Sequence, residues 1–211
     1  ARDTEHDKIT RALLIGAAMI NAGAPPSPLS QSLLDDQDSW MRWGGAWMTA
    51  MGSAGTGSRA ALKALLRLAV TDASNDVRRA AVIGMALVLI GRPNEIPDMV
   101  RLLLESYNPH LRYGALMALG IGFAGTGNTA VLDMIDTPMR SDKVDFVRQA
   151  GMIAASLILM QQAPDRQIHL RQHLERVIAT KYDEALAKFG AVLAQGILDA
   201  GGRNQIVALV T

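Results

Sequence analysis

Two Gly-rich segments contain the residue types of a phosphate-binding loop. Residues Ala54 to Gly57 and Ala124 to Gly127 both read Ala-Gly-Thr-Gly. A P-loop follows a β-strand and ends in Lys followed by Ser or Thr, so that backbone N–H groups and an ammonium group hold the phosphates. Neither segment has a strand pattern before it or that Lys after it. We therefore predict turns that end helices, and no nucleotide site.

Two histidines have the spacing of metal ligands on a helix. His169 and His173 are four residues apart, which places them on one helical face. No Glu follows the first His in an H-E-x-x-H pattern, and no third ligand is evident. The neighbouring arginines Arg166, Arg171 and Arg176 would repel a cation. The chain has no Cys, which excludes thiolate ligands. We predict a solvated helix face and no metal.

Paired carboxylates raise the question of acid–base catalysis. Asp35-Asp36 and Asp183-Glu184 lie in segments between predicted helices, with Ser, Gln and Lys nearby. Turn formation and helix capping account for acids in such places. No nucleophile-elbow sequence is present, so a Ser-His-Asp triad has no support. We predict that the chain is not an enzyme, with no catalytic residue, no cofactor and no small-molecule substrate.

The composition limits the classes of partner that the chain can be expected to bind. Apolar residues make up 49% of the 211 residues, and the net charge is +1 with both signs interspersed. Without a basic surplus we expect no nucleic acid partner, which also argues against a helical-repeat DNA glycosylase. The longest apolar stretches, 80–91 and 114–125, are shorter than the roughly 18 to 20 residues of a membrane span, so we expect no membrane. The absence of Cys is compatible with the cytoplasm and nucleus.

The elements that position these residues belong to a repeat. Six segments align on a basic residue, with spacings of 31, 36, 34, 36 and 40, or about 35 on average. The basic residues are Arg11, Arg42, Arg78, Arg112, Arg148 and Lys188. We predict a single repeat domain over 1–211 with about six units. Because the chain begins without Met and ends after an apolar run, we expect a fragment of a longer protein.

Other positions keep the same phase. Eight residues after the basic residue the side chain is usually small, which a close helix crossing requires. Nine residues after it, a large aliphatic residue recurs, and we predict that it faces the core. Thirteen residues after it, Gly recurs at Gly55, Gly91, Gly125 and Gly201, where we predict a left-handed residue at a helix end. Ala24 and Gln161 depart from that pattern.

Each unit reads as two helices. The basic residue lies near the start of the second helix, after a capping sequence such as Asn75-Asp76 or Asn108-Pro109. That helix is apolar nearly all round, whereas the first helix, for example 60–70, is amphipathic. Stacked helical hairpins bury such a pair of helices. The predicted fold class is an all-α solenoid of helical-hairpin repeats, an α-α superhelix.

Two sets of side chains have competing interpretations. The first set is the repeated basic residue, which could form a ladder that binds an acidic partner. We favour the alternative that its long stem packs while its charged head bonds nearby turn carbonyls and acids. The residues are Arg42, Arg78, Arg112, Arg148 and Lys188. Trp40, Trp43 and Trp47 share one helical face. We favour packing against the next repeat for that face and keep a partner interface as the alternative, because Trp is frequent in interface hot spots.

The repeat segments resemble a known family. Residues 105–128, ESYNPHLRYGALMALGIGFAGTGN, resemble the proteasome/cyclosome repeat of the large non-ATPase scaffold subunits in the 26S proteasome regulatory particle. The segments NDVRRAAVIG, VDFVRQAGMIAASLILMQQ and AKFGAVLAQGILDAGGRN resemble successive repeats, and TEHDKITRALLIG resembles them more weakly. The three Trp residues and the loop at 24–28 depart from the family pattern.

The resemblance implies an arc of a closed toroid of helices. It implies a non-catalytic scaffold in the regulatory particle (19S) of the 26S proteasome, which positions lid, base and ubiquitin-receptor subunits for ubiquitin-dependent protein degradation. The expected partners are other regulatory-particle subunits. The alternatives are the sister large proteasome subunit, the related subunit of the anaphase-promoting complex, and a generic HEAT-like interaction module.

Overall fold

A computed structural model describes residues 5–24, 27–181 and 184–200. Within these ranges the chain forms eleven α-helices and one short 3-10 helix, and contains no strand. It divides into two compact units, Ala1–Ile96 and Pro97–Thr211. None of the described helices is both long and apolar enough to cross a membrane.

The first unit contains five α-helices in two rows. They are α1 (Glu5–Ile20), α2 (Pro28–Leu34), α3 (Ser39–Gly52), α4 (Arg59–Thr71) and α5 (Asn75–Val88), followed by the 3-10 helix Pro93–Glu95. Helices α1, α3 and α5 pack side by side. Helix α2 covers α3 and α4 covers α5, so each pair forms a helical hairpin.

The second unit repeats this arrangement. It contains α6 (Ile96–Leu104), which begins on the last residue of the first unit, α7 (Pro109–Gly122), α8 (Thr129–Ser141), α9 (Asp145–Leu159), α10 (Pro164–Ala179) and α11 (Ala185–Ala200). Helices α7, α9 and α11 form one row, with α8 against α9 and α10 against α11. The predicted all-α class of helical-hairpin repeats is confirmed. The single domain over 1–211 and the toroid stay predictions.

Short polar side chains begin the helices. Asp38 and Asn108 accept hydrogen bonds from the N–H groups of Trp40 and His110, at 2.9 Å in each case. Each satisfies one of the N–H groups that a helix start leaves without an internal partner. The predicted cap at Asn108-Pro109 is therefore correct. At α5 the N-cap is Ser74, one residue before the predicted pair, and its side chain makes no capping bond.

The close crossings lie where the small residues recur. Ala50, Ala86 and Ser156 have no exposed surface. Gly120 is also buried, and a Cβ added there would lie 2.6 Å from Cα of Ala154 on α9. In the last unit the equivalent Gly196 is exposed and has no atom within 4 Å of such a Cβ. The small side chain is thus required in the middle repeats and not at α11.

The large aliphatic residue one position further on does not face the core, so that prediction is wrong. Ile20 is 86% exposed, and Leu87 and Leu157 are only half-buried. The core residue is the next one, because one helical step turns the side chain by about 100°. Val88 and Ile158, at that next position, have no exposed surface.

Gly120→Ala should lower the free energy of unfolding by about 1–3 kcal/mol, because its methyl group overlaps the α9 backbone in a packed core. Gly196→Ala is the matched control. It should raise the free energy by about 0.5–1 kcal/mol, because Gly is unfavourable inside a helix and space is available. Urea unfolding followed by circular dichroism measures both, and equal stability of Gly120→Ala and the unsubstituted chain contradicts the crossing.

Candidate functional site

The repeated basic residue forms a bidentate ion pair in the first unit. Nε and Nη2 of Arg42 donate to Oδ2 and Oδ1 of Asp72 at 2.7 and 3.0 Å. Arg42 lies in the first turn of α3, and Asp72 is the C-cap of α4. The Asp72 side chain is 3% exposed and that of Arg42 16% exposed, so water screens the pair little. The pair fastens the end of α4 to the start of α3.

The second unit contains the same pair 70 residues later. Nε and Nη2 of Arg112 donate to Oδ2 and Oδ1 of Asp142 at 2.7 and 2.9 Å. Asp142 is the C-cap of α8, and Arg112 lies in the first turn of α7. The side chains are 9% and 17% exposed, respectively. The same geometry therefore recurs in both units, at a spacing of two repeats.

The remaining guanidinium nitrogen of each arginine, Nη1, binds the turn that precedes its helix. Nη1 of Arg42 donates to the carbonyl oxygens of Asp36 and Gln37 at 2.9 and 2.8 Å. Nη1 of Arg112 does the same to the two residues at the corresponding positions, Ser106 at 2.9 Å and Tyr107 at 3.1 Å. Each guanidinium thus satisfies two turn carbonyls as well as one carboxylate.

The next arginine along the chain binds the same aspartate through its backbone. Arg78 donates from Nε to the carbonyl oxygen of Asp72. Arg148 donates from Nη1 to the carbonyl oxygen of Asp142 at 2.9 Å. We call each set of two arginines and one aspartate a latch: Arg42, Asp72 and Arg78 in the first unit, and Arg112, Asp142 and Arg148 in the second.

The latch aspartates are held as anions. Burial by itself raises the pKa of Asp72, but the hydrogen bonds from Arg42 and from the N–H of Ser74, with the charges of Arg42 and Arg78, lower the pKa below its ordinary value. The pKa of Asp142 is lowered in the same way by Arg112, the N–H of Val144 and Arg148. A carboxylate that stays ionised and paired supports structure and does not suit proton transfer.

The last basic residue of the series has no such partner. Lys188 lies on α11, is half-buried, and makes no ion pair with any residue that the structure describes. Its backbone N–H donates to the carbonyl oxygen of Glu184 at 3.1 Å. Bidentate pairing requires the planar guanidinium fork, which Lys lacks. The sixth unit therefore differs from the two latches.

The latch aspartates were not identified from the sequence. Asp72 and Asp142 each follow the latch arginine by 30 residues and precede the next arginine by six. That double spacing is the signal that identifies them. It was missed because acids next to a helix end have a local explanation as turn or capping residues.

The Gly-rich segments use their N–H groups inside the protein. The N–H groups of Gly55 and Gly57 donate to the carbonyl oxygens of Leu87 and Val88 at 2.9 and 3.0 Å. In the second unit, the N–H groups of Gly125 and Gly127 donate to Leu157 and Ile158 at 2.8 and 2.9 Å. All four glycines have a positive φ, between 61° and 72°. These N–H groups join neighbouring repeats and do not face a phosphate.

The predicted left-handed conformation is wrong for one glycine, and a residue that departs from the Gly pattern adopts it. Gly91 does not have a positive φ, but a Cβ there would lie 2.9 Å from the carbonyl oxygen of Gly55. Gly is required at this position by close approach of backbone. Gln161, 70 residues later, does have a positive φ of 68°. Gly201 lies outside the described residues.

The histidines and carboxylate pairs do not form a shared site. His169 is exposed, and Nδ1 of His173 lies 3.3 Å from Nη1 of Arg140. Among the described residues no group of three or more His, Asp or Glu side chains is placed to hold a metal. Asp35 pairs with Arg67 at 2.7 Å. Asp183 lies outside the described residues.

The three tryptophans form a ladder along α3. The rings of Trp40 and Trp43, and those of Trp43 and Trp47, are each 6.2 Å apart and nearly perpendicular. The guanidinium carbon of Arg11 on α1 lies 4.5 Å from the centre of the Trp40 ring. All three are half-buried, and Nε1 of Trp47 is buried with no hydrogen-bond partner in the described part of the chain. The ladder packs partly within the first unit and leaves aromatic surface accessible.

Two helices carry exposed apolar faces. On α1 the exposed residues are Ile9, Leu13, Met19 and Ile20, at 59–86% exposure. On α11 they are Leu186, Phe189, Val192 and Leu193, at 42–59% exposure. Contiguous apolar surface on a protein marks a place where it contacts something else. Both faces suit neighbours packed on these helices.

Comparison with known proteins agrees with the repeat architecture. Residues 62–156 match the family model for HEAT repeats. The 26S proteasome non-ATPase regulatory subunit 1 of Drosophila melanogaster is 44% identical over 99% of this chain, which covers 21% of that protein. Homolog A of the same subunit in Arabidopsis thaliana is 42% identical over 100% of the chain, which again covers 21%.

A fungal relative gives the same result. The 26S proteasome regulatory subunit RPN2 of Saccharomyces cerevisiae is 44% identical over 99% of this chain, which covers 22% of that protein. The chain therefore spans about one fifth of the length of the curated relatives it matches. Each of these matches covers nearly the whole of this chain.

Arg112→Ala should lower the free energy of unfolding by about 2–4 kcal/mol, because it leaves the shielded Asp142 carboxylate and two turn carbonyls without their donor. Arg67→Ala is the control, since its pair with Asp35 is 52% and 69% exposed and should contribute less than about 1 kcal/mol. Thermal and urea unfolding measure both. Equal losses in the two variants would contradict the structural role of the latch.

Stability should fall at acid pH through the latch aspartates. Because their folded pKa is lowered, their contribution is complete above the unfolded pKa of about 3.9 and is lost as the pH falls below it. The free energy of unfolding of Asp142→Asn should therefore change less between pH 6 and pH 3 than that of the unsubstituted chain. Asp35→Asn serves as the exposed control, and an identical acid limb in all three proteins refutes the assignment.

Proposed function

We propose that this chain, which is homologous over nearly its whole length to one region of 26S proteasome non-ATPase regulatory subunit 1 (RPN2), is a non-catalytic scaffold segment of the proteasome regulatory particle. The observation that carries the proposal is 42–44% identity across animal, plant and fungal relatives over 99–100% of the chain. The sister subunit and the anaphase-promoting complex subunit are not favoured by these relatives.

The geometry supports a positioning role. The latches, and the backbone bonds from the Gly-rich segments, join one hairpin to the next in each unit. Repeats fastened in this way hold their outer surfaces at fixed spacing, which is what a scaffold requires. The carboxylates that the structure places most deeply are committed to arginines and not to a substrate.

Partners contact the outer surfaces of the repeats. The Trp ladder and the apolar faces of α1 and α11 supply apolar area, and the signature residues Arg42, Arg78, Arg112 and Arg148 serve structure. The proposed partners are other subunits of the regulatory particle, and the proposed location is the cytoplasm and nucleus. No nucleic acid, membrane lipid or small-molecule substrate is part of the proposal.

Affinity capture tests this function. The full-length gene product that contains this chain, tagged and expressed in its own cells, should recover regulatory-particle subunits at moderate salt, as identified by mass spectrometry. Recovery of an anaphase-promoting complex, or of no stable assembly, contradicts the proposal.

The same capture tests the Trp ladder. We expect Trp43→Ala to lower the melting temperature, because a large aromatic ring between two others is lost, while the set of captured subunits stays the same. Loss of one particular subunit from a variant that remains folded would instead assign the ladder to an interface. Leu66→Ala, at an exposed position of α4, is the matched control.

A further inference from the structure

A groove opens in the second unit beside its latch. It has a volume of about 640 Å³ and lies between the C-terminal parts of α6 and α8, with the turn before α9 at one end. Leu104, Met134 and Pro138 supply its apolar lining. The paired Arg112 and Asp142 also line it. A groove of this size falls in the range that holds a few large side chains.

Charge at the groove is mostly positive. Arg101 and Lys143 are exposed, line the groove, and form no ion pair with any residue in the described part of the chain. Glu105 is the one acid in the lining that pairs with no basic side chain among the residues that the structure describes. Since Arg112 and Asp142 neutralise each other, the groove presents two free cations and one free anion beside apolar walls. This balance attracts carboxylates.

The backbone adds an open acceptor. Pro138 lies inside α8 and has no N–H to donate. The carbonyl oxygen of Met134, four residues earlier, therefore lacks its usual helix partner. Both residues line the groove. A donor on an incoming segment has a place to bond there.

The first unit shows why this groove is open. In the 70-residue register, Thr137 and Glu105 correspond to Arg67 and Asp35. Arg67 reaches from α4 to Asp35 after α2 with an Nη2–Oδ1 distance of 2.7 Å, so an ion pair spans the corresponding place. Thr137 is too short to reach across in this way.

The free cations are also particular to the second unit. Arg101 and Lys143 correspond to Gln31 and Ala73, which carry no charge. The two units share their latch, and they differ where the groove is open and basic. That difference is what a recognition surface added to a structural repeat would show.

We propose that this groove, named by its residues Arg101, Leu104, Met134, Thr137, Pro138 and Lys143, is a docking site for an acidic segment of a partner protein that inserts apolar side chains between α6 and α8. The apolar residues fill the space beside Met134, a flexible side chain that adapts to its contacts. The flanking carboxylates of the segment pair with Arg101 and Lys143. The proposal specifies one surface of the proposed scaffold and rests on that function.

The test uses the full-length gene product as bait for a phage-displayed library of random peptides. The selected peptides should combine large apolar residues with Asp or Glu. Thr137→Arg should weaken their binding by about tenfold or more, measured by fluorescence anisotropy, because the new arginine can pair with Glu105 and close the groove as Arg67 does. Thr137 is exposed, so the substitution is compatible with folding.

Charge variants complete the test. Arg101→Glu combined with Lys143→Glu should weaken the selected peptides by at least about tenfold and reverse the preference for acids. Arg59→Glu combined with Lys63→Glu, at exposed positions of α4, should change the affinity less than about twofold. The proposal is overturned if no peptide is selected, if the selected peptides lack acids, or if Thr137→Arg binds them unchanged. Capture of regulatory-particle subunits by the same variants tests the scaffold function separately. If the subunits are captured but no peptide binds, the docking site is refuted and the scaffold function is not.

Discussion

The pairing of a shielded arginine near the start of one helix with the aspartate that ends the next helix is the constraint on which the rest of the repeat depends. One guanidinium satisfies a carboxylate and two turn carbonyls, so three chain segments meet at a single planar group. Removing charges from water is costly, and the pair repays that cost because both carboxylate oxygens accept a bond and the guanidinium donates four. Once α3 and α4 are fixed at this point, the row of buried helices can pack closely enough to need Ala, Gly or Ser at its crossings.

The opposite end of the two latch repeats is fastened by backbone N–H groups, joined in the second unit by the Gln162 side chain, which donates to the Gly125 carbonyl oxygen at 2.6 Å. Gly55 and Gly125 enter the left-handed region and direct their N–H groups at the last carbonyls of the next buried helix. The two ends therefore use different chemistry: a charged side chain at one, and Gly-dependent backbone geometry at the other. In both arrangements the polar groups are taken up by contacts within the repeats.

Much of the architecture could be read from the sequence. The period of about 35 residues, the hairpins, the cap at Asn108 and the crossings at Ala50, Ala86 and Gly120 follow from local rules. Four features could not be read in this way. The core position was placed one residue early, because a helix apolar all round gives no phase. Gly91 was predicted to be left-handed. Gly is required there because a side chain would clash with a carbonyl oxygen of a residue 36 positions earlier. Asp72 and Asp142 were overlooked because their partners are distant in the chain. The groove at Thr137 could not be predicted, because that prediction requires knowing which side chain spans two helices.

The 70-residue correspondence between the latches has a consequence for how such chains can grow or shrink. Arg42, Asp72 and Gly55 recur as Arg112, Asp142 and Gly125, whereas the intervening arginines, Arg78 and Arg148, take the second role in each latch. The natural module for duplication or deletion is thus a pair of hairpins. Loss of a single hairpin would bring two helices of unlike role into register, so insertions in this lineage should be tolerated in steps of two repeats.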